Sequence, residues 1–284
     1  MNTYRQLFDV FNQGLSTLYE PNEIASIYHL ALEHLGNKNT ISYKLHPDNA
    51  LESAVVEQLL NVLTELKTGK PIQYILGEAS FFGLKLKVNE HVLIPRVETE
   101  ELVDMIIKNH RYSSDLHLID IGTGSGCIPI ALAKHLKSAF ITSLDVSSEA
   151  IQLAKQNAEA NQTLINFREL DILEWDLAFE AEQYDVIVSN PPYIREIEKA
   201  EMHQNVLKYE PHLALFVADH TPLLFYSTIA DFAKKHLKPS GTLYFEINQY
   251  LSTETADLLK KKGFGQVSIL PDLNQVPRII VAQQ

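Results

Sequence analysis

The sequence has 284 residues, of which 45% are hydrophobic and 21% charged, as in an ordinary soluble globular protein with one large or two modest domains. No apolar run approaches the ~20 residues that cross a bilayer, no secretion signal is recognisable, and the single cysteine excludes an intrachain disulfide framework, so we expect a cytoplasmic protein. The formal net charge of −12 and the lack of clustered Lys and Arg with interleaved aromatics disfavour a nucleic-acid partner.

Residues 1–75 have the apolar periodicity of helices. Apolar side chains recur at helical spacing in residues 24–35 and again in residues 51–66. Pro21 suits the first turn of the earlier helix, because its missing N–H needs no partner there. The pattern predicts a small helical bundle, and no residue in it has the pattern of a catalytic group.

Residues 76–95 are expected to form a connecting β-hairpin. The segment ASFFGLKLKVNEHVLIP (79–95) alternates in polarity around Gly83 and around Asn89 and Glu90, as a short antiparallel hairpin does. This connector would join the helical bundle to the rest of the chain.

Residues 96–284 alternate between strand and helix patterns. Seven apolar segments have the length of strands: LHLIDI (116–121), AFITSLDV (139–146), INFREL (165–170), YDVIVS (184–189), TLYFEI (242–247), QVSIL (266–270) and RIIVAQ (278–283). Helical spacing fills residues 127–137, 148–161, 222–237 and 250–262. The alternation predicts a Rossmann-like α/β domain with a largely parallel seven-stranded sheet. Only PDLNQVP joins the last two strands, so the final strand should be antiparallel, as in many S-adenosylmethionine (SAM) methyltransferases.

A glycine-rich turn follows the first of these strands and precedes a helix. Its residues are Gly122, Thr123, Gly124, Ser125 and Gly126. Glycines at such a turn let backbone N–H groups approach a ligand beside a helix N-terminus. Cys127 replaces the third glycine of the dinucleotide fingerprint, and Asp120 before the loop suits a cationic ammonium group better than a pyrophosphate. No Gly-Lys-Ser/Thr run follows any glycine run, which excludes a P-loop.

Asp145 closes the second strand, about twenty residues after the glycine loop. A carboxylate at this position can accept hydrogen bonds from both hydroxyls of a ribose. The loop and Asp145 together predict a site for a nucleoside-type cofactor, with SAM favoured over NAD.

Asn190, Pro191, Pro192 and Tyr193 follow the fourth strand, which is expected beside the first, so this turn should face the same crevice as the glycine loop. A planar amide or exocyclic amine nitrogen is a poor nucleophile because its lone pair is delocalised. The Asn190 side-chain oxygen and the Pro191 carbonyl could accept its two N–H bonds, while Tyr193 packs on its flat face. We predict that Asn190, Pro191 and Tyr193 are catalytic, that all four residues bind substrate, and that no metal takes part. The alternative is a rigid turn that ends the strand.

Several motifs resemble the HemK/PrmC family over essentially the whole chain. They are GKPIQYILGEASFFGLKLKVNEHVLIPRVETEELV (69–103), DIGTGSG, SNPPYI and YEPHLALF. The resemblance implies a SAM-dependent methyltransferase that acts on N5 of the glutamine in the Gly-Gly-Gln motif of peptide chain release factors. It also implies that residues 122–126, Asp145 and Asn190 bind SAM and that residues 190–193 hold the glutamine amide. The helical domain is expected to recognise the protein substrate, because it lacks ligand-type residues and precedes the hairpin.

The resemblance further implies a cofactor contact shortly after the third strand, beside the adenine ring. Trp175 stands at the family's distance before Asn190, whereas Ile172 directly follows Asp171. Either residue fits the loop, and Trp175 is favoured.

Arg96, Glu98, Thr99 and Glu100 lie where the two predicted domains join. One interpretation is a helix cap by Thr99 with ion pairing among the other three. The other is a role at the methyl-donor site.

Two alternative functions remain at this point. An adenine-N6 methyltransferase would share the Asn-Pro-Pro-Tyr turn, but it needs a base-flipping pocket and a basic groove, which no segment provides. A SAM-fold scaffold without turnover would have no reason to place an amide-holding turn beside a cofactor loop. We therefore expect an enzyme that acts on release factors as a monomer, without a stable nucleic-acid or membrane partner.

Overall fold

The computed structural model describes residues 2–36 and 40–284. The helices are α1 (Tyr4–Leu15), α2 (Pro21–Gly36), α3 (Thr40–Leu45), α4 (Ser53–Leu66), α5 (Ile72–Leu76), α6 (Val97–His110), α7 (Cys127–His135), α8 (Ser148–Ala160), α9 (Gln204–Tyr209), α10 (His212–Leu215), α11 (Leu224–His236) and α12 (Ser252–Lys261). The strands are β1 (Glu78–Phe81), β2 (Leu84–Lys87), β3 (His117–Ile121), β4 (Phe140–Asp145), β5 (Asn166–Glu169), β6 (Tyr184–Ser189), β7 (Ile194–Arg195), β8 (Phe216–Val217), β9 (Leu237–Glu246), β10 (Gln266–Pro271) and β11 (Pro277–Gln283). Short 3-10 helices span Ile172–Leu177, Glu196–Glu201 and Gln249–Leu251.

The chain folds into two compact units. The first runs to Gly77 and also contains His203–Tyr209, and the second comprises Glu78–Met202 and Glu210–Gln284. The sequence predicted a helical domain of residues 1–75 and a separate connector of residues 76–95. In the structure the hairpin β1–β2 is instead part of the second unit, where its residues Phe81 and Leu86 are buried in the core.

The first unit is a helical bundle, as predicted. Helix α1 begins after Thr3, whose hydroxyl accepts a hydrogen bond from the Gln6 backbone N–H at 3.3 Å. The apolar faces of α1, α2 and α4 enclose a core in which Tyr28 is fully buried. The Tyr28 hydroxyl donates to the Tyr4 backbone oxygen at 3.0 Å, so this buried polar group has a partner.

The second unit contains a seven-stranded sheet in the order β10-β11-β9-β6-β3-β4-β5. Strands β3, β4, β5, β6 and β9 are parallel to their neighbours among this group, and β11 is antiparallel to both β9 and β10. This confirms the predicted fold class, with the last strand reversed. It also confirms that the fourth predicted strand lies beside the first.

Buried side chains cover both faces of this sheet. Val186 and Val188 of β6 contribute to one core cluster, and Ile187 between them contributes to the other, because successive side chains of a strand point to opposite faces. Burial on both faces explains why the central strands are continuous apolar runs.

The strand order reverses between β3 and β6, which places a crevice at the carboxyl ends of these strands. Ile121, Asp145 and Ser189 end β3, β4 and β6 at this edge of the sheet. The predicted glycine loop, the acidic residue and the Asn-Pro-Pro-Tyr turn therefore all leave the sheet on the same side.

Candidate active site

A cavity of about 300 Å³ lies at this edge of the sheet, within the second unit. Its walls are contributed by the glycine loop, by the ends of β4 and β6, by the segment before and within α6, and by the segment that contains Pro211 and Leu213. Apolar side chains such as Leu144, Ile172 and Phe225 line much of it. A concave, largely apolar pocket with a few placed polar groups is typical of a cofactor or substrate site.

The glycine loop forms one wall of the cavity through backbone that only glycine adopts easily. Gly122, Gly124 and Gly126 have φ values of +82°, +51° and +82°. A Cβ on Gly124 would have no neighbour within 4 Å, and one on Gly122 would meet only the Asn190 backbone oxygen, at 3.8 Å. A Cβ on Gly126 would instead come within 3.0 Å of Ile130 Cδ1. The first two glycines thus keep backbone open to a ligand, and the third lets α7 begin in a crowded place.

Asp145 lies opposite this loop and lines the cavity. Its Oδ2 accepts the Gly124 backbone N–H at 2.8 Å and its Oδ1 accepts the Ser147 backbone N–H at 3.0 Å. Burial raises the pKa of the Asp145 carboxyl, and the backbone hydrogen bonds act against that rise. Each oxygen keeps acceptor capacity, because a carboxylate oxygen has two lone pairs.

Asp120 lies behind the loop. Its side chain is fully buried, and its Oδ2 accepts the Ser143 hydroxyl at 2.7 Å. Its Oδ1 has no hydrogen-bond partner among the described residues. Burial raises the pKa of this carboxyl to about 7. Asp120 is not among the residues that line the cavity, so its predicted contact with a cationic ligand group stays a prediction.

The Asn-Pro-Pro-Tyr turn forms another wall. Asn190, Pro191 and Pro192 line the cavity. Tyr193 does not line it: its ring packs against the core, and its hydroxyl donates to Glu246 Oε1 at 3.2 Å. The prediction that Tyr193 packs on the substrate is therefore not supported by its placement, because the ring turns inward and leaves the cavity wall to Asn190 and the prolines.

The structure places Ile172, rather than the favoured Trp175, in the wall of the cavity. Ile172 lines the cavity, whereas Trp175 does not. The Trp175 ring lies 5.7 Å from the Phe232 ring and 5.5 Å from the His236 ring, measured between centroids, because the 3-10 helix kinks at Glu174 and the indole packs against α11. Of the two alternatives, only Ile172 is therefore placed where it could border a bound cofactor, and its contact with the adenine stays a prediction.

The junction residues also differ from the helix-cap interpretation. Helix α6 begins at Val97 after Arg96, and the Thr99 hydroxyl does not cap it. That hydroxyl donates to Glu246 Oε2 at 2.6 Å. Arg96 and Thr99 line the cavity, whereas Glu98 and Glu100 do not.

Arg96 and Glu100 each bond to a residue outside the junction. Arg96 forms a 2.5 Å ion pair with Glu210, which is almost fully buried. Glu100 accepts the Phe82 backbone N–H at 2.6 Å and so ties α6 to the hairpin. Glu210 and Glu246 were missed as site residues, although Glu210 belongs to the YEPHLALF motif and could have been found there.

No helix among residues 2–36 and 40–284 is long and apolar enough to cross a membrane. Within the same described ranges, His, Cys, Asp and Glu side chains form no group of three that could hold a metal ion.

The chain is similar to methyltransferases in both sequence and fold. The sequence model of the methyltransferase small domain matches residues 98–213, and that of the PrmC N-terminal domain matches residues 9–77. The fold is similar to that of a methyltransferase from Pyrococcus furiosus, with a TM-score of 0.52, 18% identity, and coverage of 81% of this chain and 98% of that one.

Two curated relatives identify the family. The chain is 48% identical to the release factor glutamine methyltransferase of Flavobacterium psychrophilum over 273 residues, which are 95% of each chain. It is 39% identical to that of Bacteroides thetaiotaomicron, covering 96% of this chain and 97% of the relative. The chain belongs to the family of release factor glutamine methyltransferases.

Proposed function

We propose that this protein transfers a methyl group from SAM to the side-chain nitrogen, N5, of the glutamine in the Gly-Gly-Gln motif of peptide chain release factors. One observation carries the proposal: Asn190 and the prolines line the same cavity as the glycine loop and Asp145. Methyl transfer to an amide requires the substrate amide and the methyl donor to be bound side by side. A turn that can hold an amide and a loop that can bind a nucleoside would meet this requirement within one cavity. The names of the relatives support release factors as the substrate.

Three parts of the cavity wall would hold SAM. The open backbone at Gly122 and Gly124 would receive the amino-acid part of the cofactor, Asp145 would accept the ribose hydroxyls, and Ile172 would border the adenine. Asn190 would border both cofactor and substrate. When bound, SAM supplies an electrophilic methyl group on a sulfonium. The loop residues Thr123 and Ser125 also line this wall.

The turn would orient the substrate amide. The Asn190 Oδ1 and the Pro191 carbonyl would accept its two N–H bonds, and the proline rings hold φ near −65°, which fixes the direction of that carbonyl. Such acceptors favour the pyramidal nitrogen needed for attack, so the contact strengthens towards the transition state. Catalysis would then consist of orientation and electrostatic complementarity.

The helical unit is the proposed recognition element for the release factor. Its described residues offer a packed core and no ligand-type cluster, whereas all residues that line the cavity belong to the second unit. We place the reaction in the cytoplasm and expect the protein to act as a monomer, without a nucleic-acid or membrane partner.

Mass spectrometry of a release factor co-expressed with this protein tests the proposal. We expect one added methyl group on the glutamine of its Gly-Gly-Gln motif and none when that glutamine is replaced. Parallel incubation of the purified protein with labelled SAM and either release factor or DNA and RNA separates the two substrate classes. Label in nucleic acid alone would replace the proposal with an adenine-N6 methyltransferase.

A further inference from the structure

A chain of three hydrogen bonds runs from Asn190 into the core of the second unit. The Asn190 Nδ2 donates to Thr99 Oγ1 at 3.3 Å, and the Thr99 hydroxyl donates to Glu246 Oε2 at 2.6 Å. The other carboxylate oxygen of Glu246 accepts the Tyr193 hydroxyl at 3.2 Å. Thr99 and Glu246 are each only 2% exposed. The four side chains come from the turn, from α6 and from β9, which the sheet brings together.

The chain has only one possible direction while Glu246 is ionised. A carboxylate accepts hydrogen bonds and donates none. The Thr99 hydroxyl has one proton, and it therefore donates that proton in its hydrogen bond to Glu246. The Thr99 oxygen is then an acceptor for any further partner. Only the amino group of Asn190 can meet it, which leaves the Asn190 carbonyl oxygen turned away from Thr99. This reasoning fixes the orientation of an amide whose nitrogen and oxygen are otherwise nearly equivalent in shape.

Burial and the hydrogen-bonding surroundings act on the Glu246 carboxyl in opposite directions. Burial raises the pKa of this carboxyl, and the carboxylate of Glu98 adds to the rise. The Thr99 and Tyr193 hydroxyls, together with the positive charge of Arg278, lower the same pKa. The Thr99 and Tyr193 hydroxyls each donate to one oxygen of Glu246, which is the hydrogen-bond pattern of an ionised carboxylate.

We propose that Thr99 and Glu246 are positioning residues that hold the Asn190 side chain with its oxygen towards the substrate amide. A free carboxamide would present oxygen or nitrogen to the cavity, and its nitrogen would repel the N–H groups of the substrate. We call the hydrogen bonds from Asn190 to Thr99 and from Thr99 to Glu246 the lock. The lock excludes the second orientation of the Asn190 amide before substrate binds. The inference rests on the proposed function and adds to it the two residues that determine which end of the Asn190 amide faces the substrate.

Thr99→Val tests the lock, since valine has nearly the shape of threonine and cannot accept a hydrogen bond. We expect the single-turnover methylation rate at saturating SAM and release factor to fall by roughly 10–100-fold, less than the roughly 10²–10³-fold for loss of a direct transition-state contact, because Thr99 acts through Asn190. The KM for release factor and the affinity for SAM should change less than threefold by the same reasoning, about 0.6 kcal/mol. Thr99→Ser keeps the hydroxyl and should recover most of the rate.

Thr255→Val is the matched control. Thr255 is as buried as Thr99, lies in α12, and donates its hydroxyl to the Leu251 backbone oxygen at 2.7 Å. Its loss should lower the melting temperature and leave turnover per folded molecule near that of the wild type. If Thr255→Val slows turnover as much as Thr99→Val does, the effect is one of packing and the lock is excluded.

Glu246→Gln supplies a second variant. A glutamine side chain has one acceptor oxygen for two hydroxyl donors, so one hydroxyl must instead accept from the new amino group. Where that hydroxyl is Thr99, its proton is free to donate to the Asn190 oxygen, which turns the amide around, and turnover should fall. Wild-type turnover in Thr99→Val, or equal losses in Thr99→Ser and Thr99→Val, would overturn the lock while wild-type methylation upholds the proposed function. A wild-type protein that leaves the Gly-Gly-Gln glutamine unmethylated would overturn the proposed function itself.

Discussion

Asp145 enters the cavity with each oxygen already holding one backbone N–H, at Gly124 and Ser147. Replacement by alanine removes both the proposed ribose acceptor and the tie to the glycine loop. We expect Asp145→Ala to weaken SAM binding by roughly 1.5–3 kcal/mol, as for the loss of charged hydrogen bonds. Calorimetric titration of SAM measures this change directly.

Asp185→Ala is the control for that experiment. Asp185 is also a strand carboxylate that accepts a backbone N–H, from His117 at 2.8 Å, but it lies near the start of β6 rather than at the cavity end. Its replacement should lower stability and keep SAM affinity within about twofold, since it has no part in the cavity. Unchanged SAM binding in Asp145→Ala would show that the ribose is held elsewhere.

Asn190 is expected to act in turnover rather than in folding. Its side chain is partly exposed in the cavity wall, and its only described side-chain hydrogen bond joins Thr99. Asn190→Ala should lower single-turnover methylation by roughly 10²–10³-fold, because an acceptor that strengthens towards the transition state is lost. Thermal melts on the same preparation should show little change. A lower melting temperature with near-normal turnover would mean that this turn only ends the strand.

Asp120 should make the stability of the unliganded protein depend on pH. Its folded-state pKa is raised to about 7 from 3.8, so between these values the folded state binds more protons than the unfolded state. The free energy of unfolding therefore falls as pH rises through this window, with a slope of at most about 1.4 kcal/mol per pH unit from this group. Asp120→Asn keeps an acceptor for Ser143 and removes the titration.

Urea denaturation at pH 5 and pH 8 measures this dependence. The wild type should lose more stability than Asp120→Asn between the two values. Glu246, whose pKa is also raised by burial, titrates in both proteins and cancels in the comparison. Asp145 titrates in both as well, and its charge raises the pKa of Asp120, so its contribution differs between the two proteins only through that interaction. Equal losses would show that Asp120 is not the buried acid that the structure indicates.

Residues with short-range signals could be predicted from the sequence, and those with long-range contacts could not. Asp145 and Asn190 follow strands directly, so position in the strand pattern placed them at the cavity. The bond between Thr99 and Glu246 joins residues 147 positions apart, and no local pattern reports it. Spacing alone favours Trp175 as the cofactor contact. In the structure its large aromatic ring is instead packed against Phe232 of α11, away from the cavity.

At the scale of elements, the glycine loop combines a special backbone with close packing. A Cβ on Gly126 would lie 3.0 Å from Ile130 Cδ1 and 3.2 Å from Ala154 Cβ, at a φ of +82°. Gly126→Ala should destabilise the protein by roughly 2–4 kcal/mol, the sum of left-handed strain and overpacking. It should also weaken SAM binding, because α7 and the loop must shift together.

Gly83→Ala separates the two costs. Gly83 has a similar φ of +73° in the hairpin turn, but a Cβ there would have no neighbour within 4 Å. It should therefore show only the strain, roughly 1–2 kcal/mol, with SAM affinity retained. Chemical denaturation of both variants measures the difference, and equal losses would contradict a packing role for Gly126.

The predicted strands agree with the structure where apolar runs are uninterrupted, as in β6. The strand predicted at residues 242–247 instead belongs to β9, which begins at Leu237, because Leu237 pairs with Tyr184 before an irregularity shifts the register to Thr242 and Val186. Strands β7 and β8 were missed. Each has only two residues, too few for an alternating pattern.

At the scale of the whole molecule, the two units are not simply successive segments of the sequence, because the first unit also contains a segment from much later in the sequence. His203–Tyr209 belongs to the first unit, where Asn205 donates to the Tyr19 hydroxyl at 3.2 Å and the Tyr209 hydroxyl lies 2.8 Å from that of Thr68. These contacts span 186 and 141 positions in the sequence. Neither the hydrophobic period nor the motifs indicate that this segment leaves one unit to complete the other.

The helical unit should govern recognition of the release factor and contribute little to SAM binding. All residues that line the cavity belong to the second unit, so removal of residues 1–77 should keep SAM affinity within about threefold, or 0.6 kcal/mol.

The measurement compares two substrates, intact release factor and a short peptide that contains only the Gly-Gly-Gln motif. Methylation of the intact factor should fall sharply in the truncated protein. Methylation of the peptide, weak in both proteins, should change little, because the peptide has no further surface for the helical unit to bind. A truncated protein that binds SAM and methylates the intact release factor at the full rate would show that recognition resides in the second unit alone.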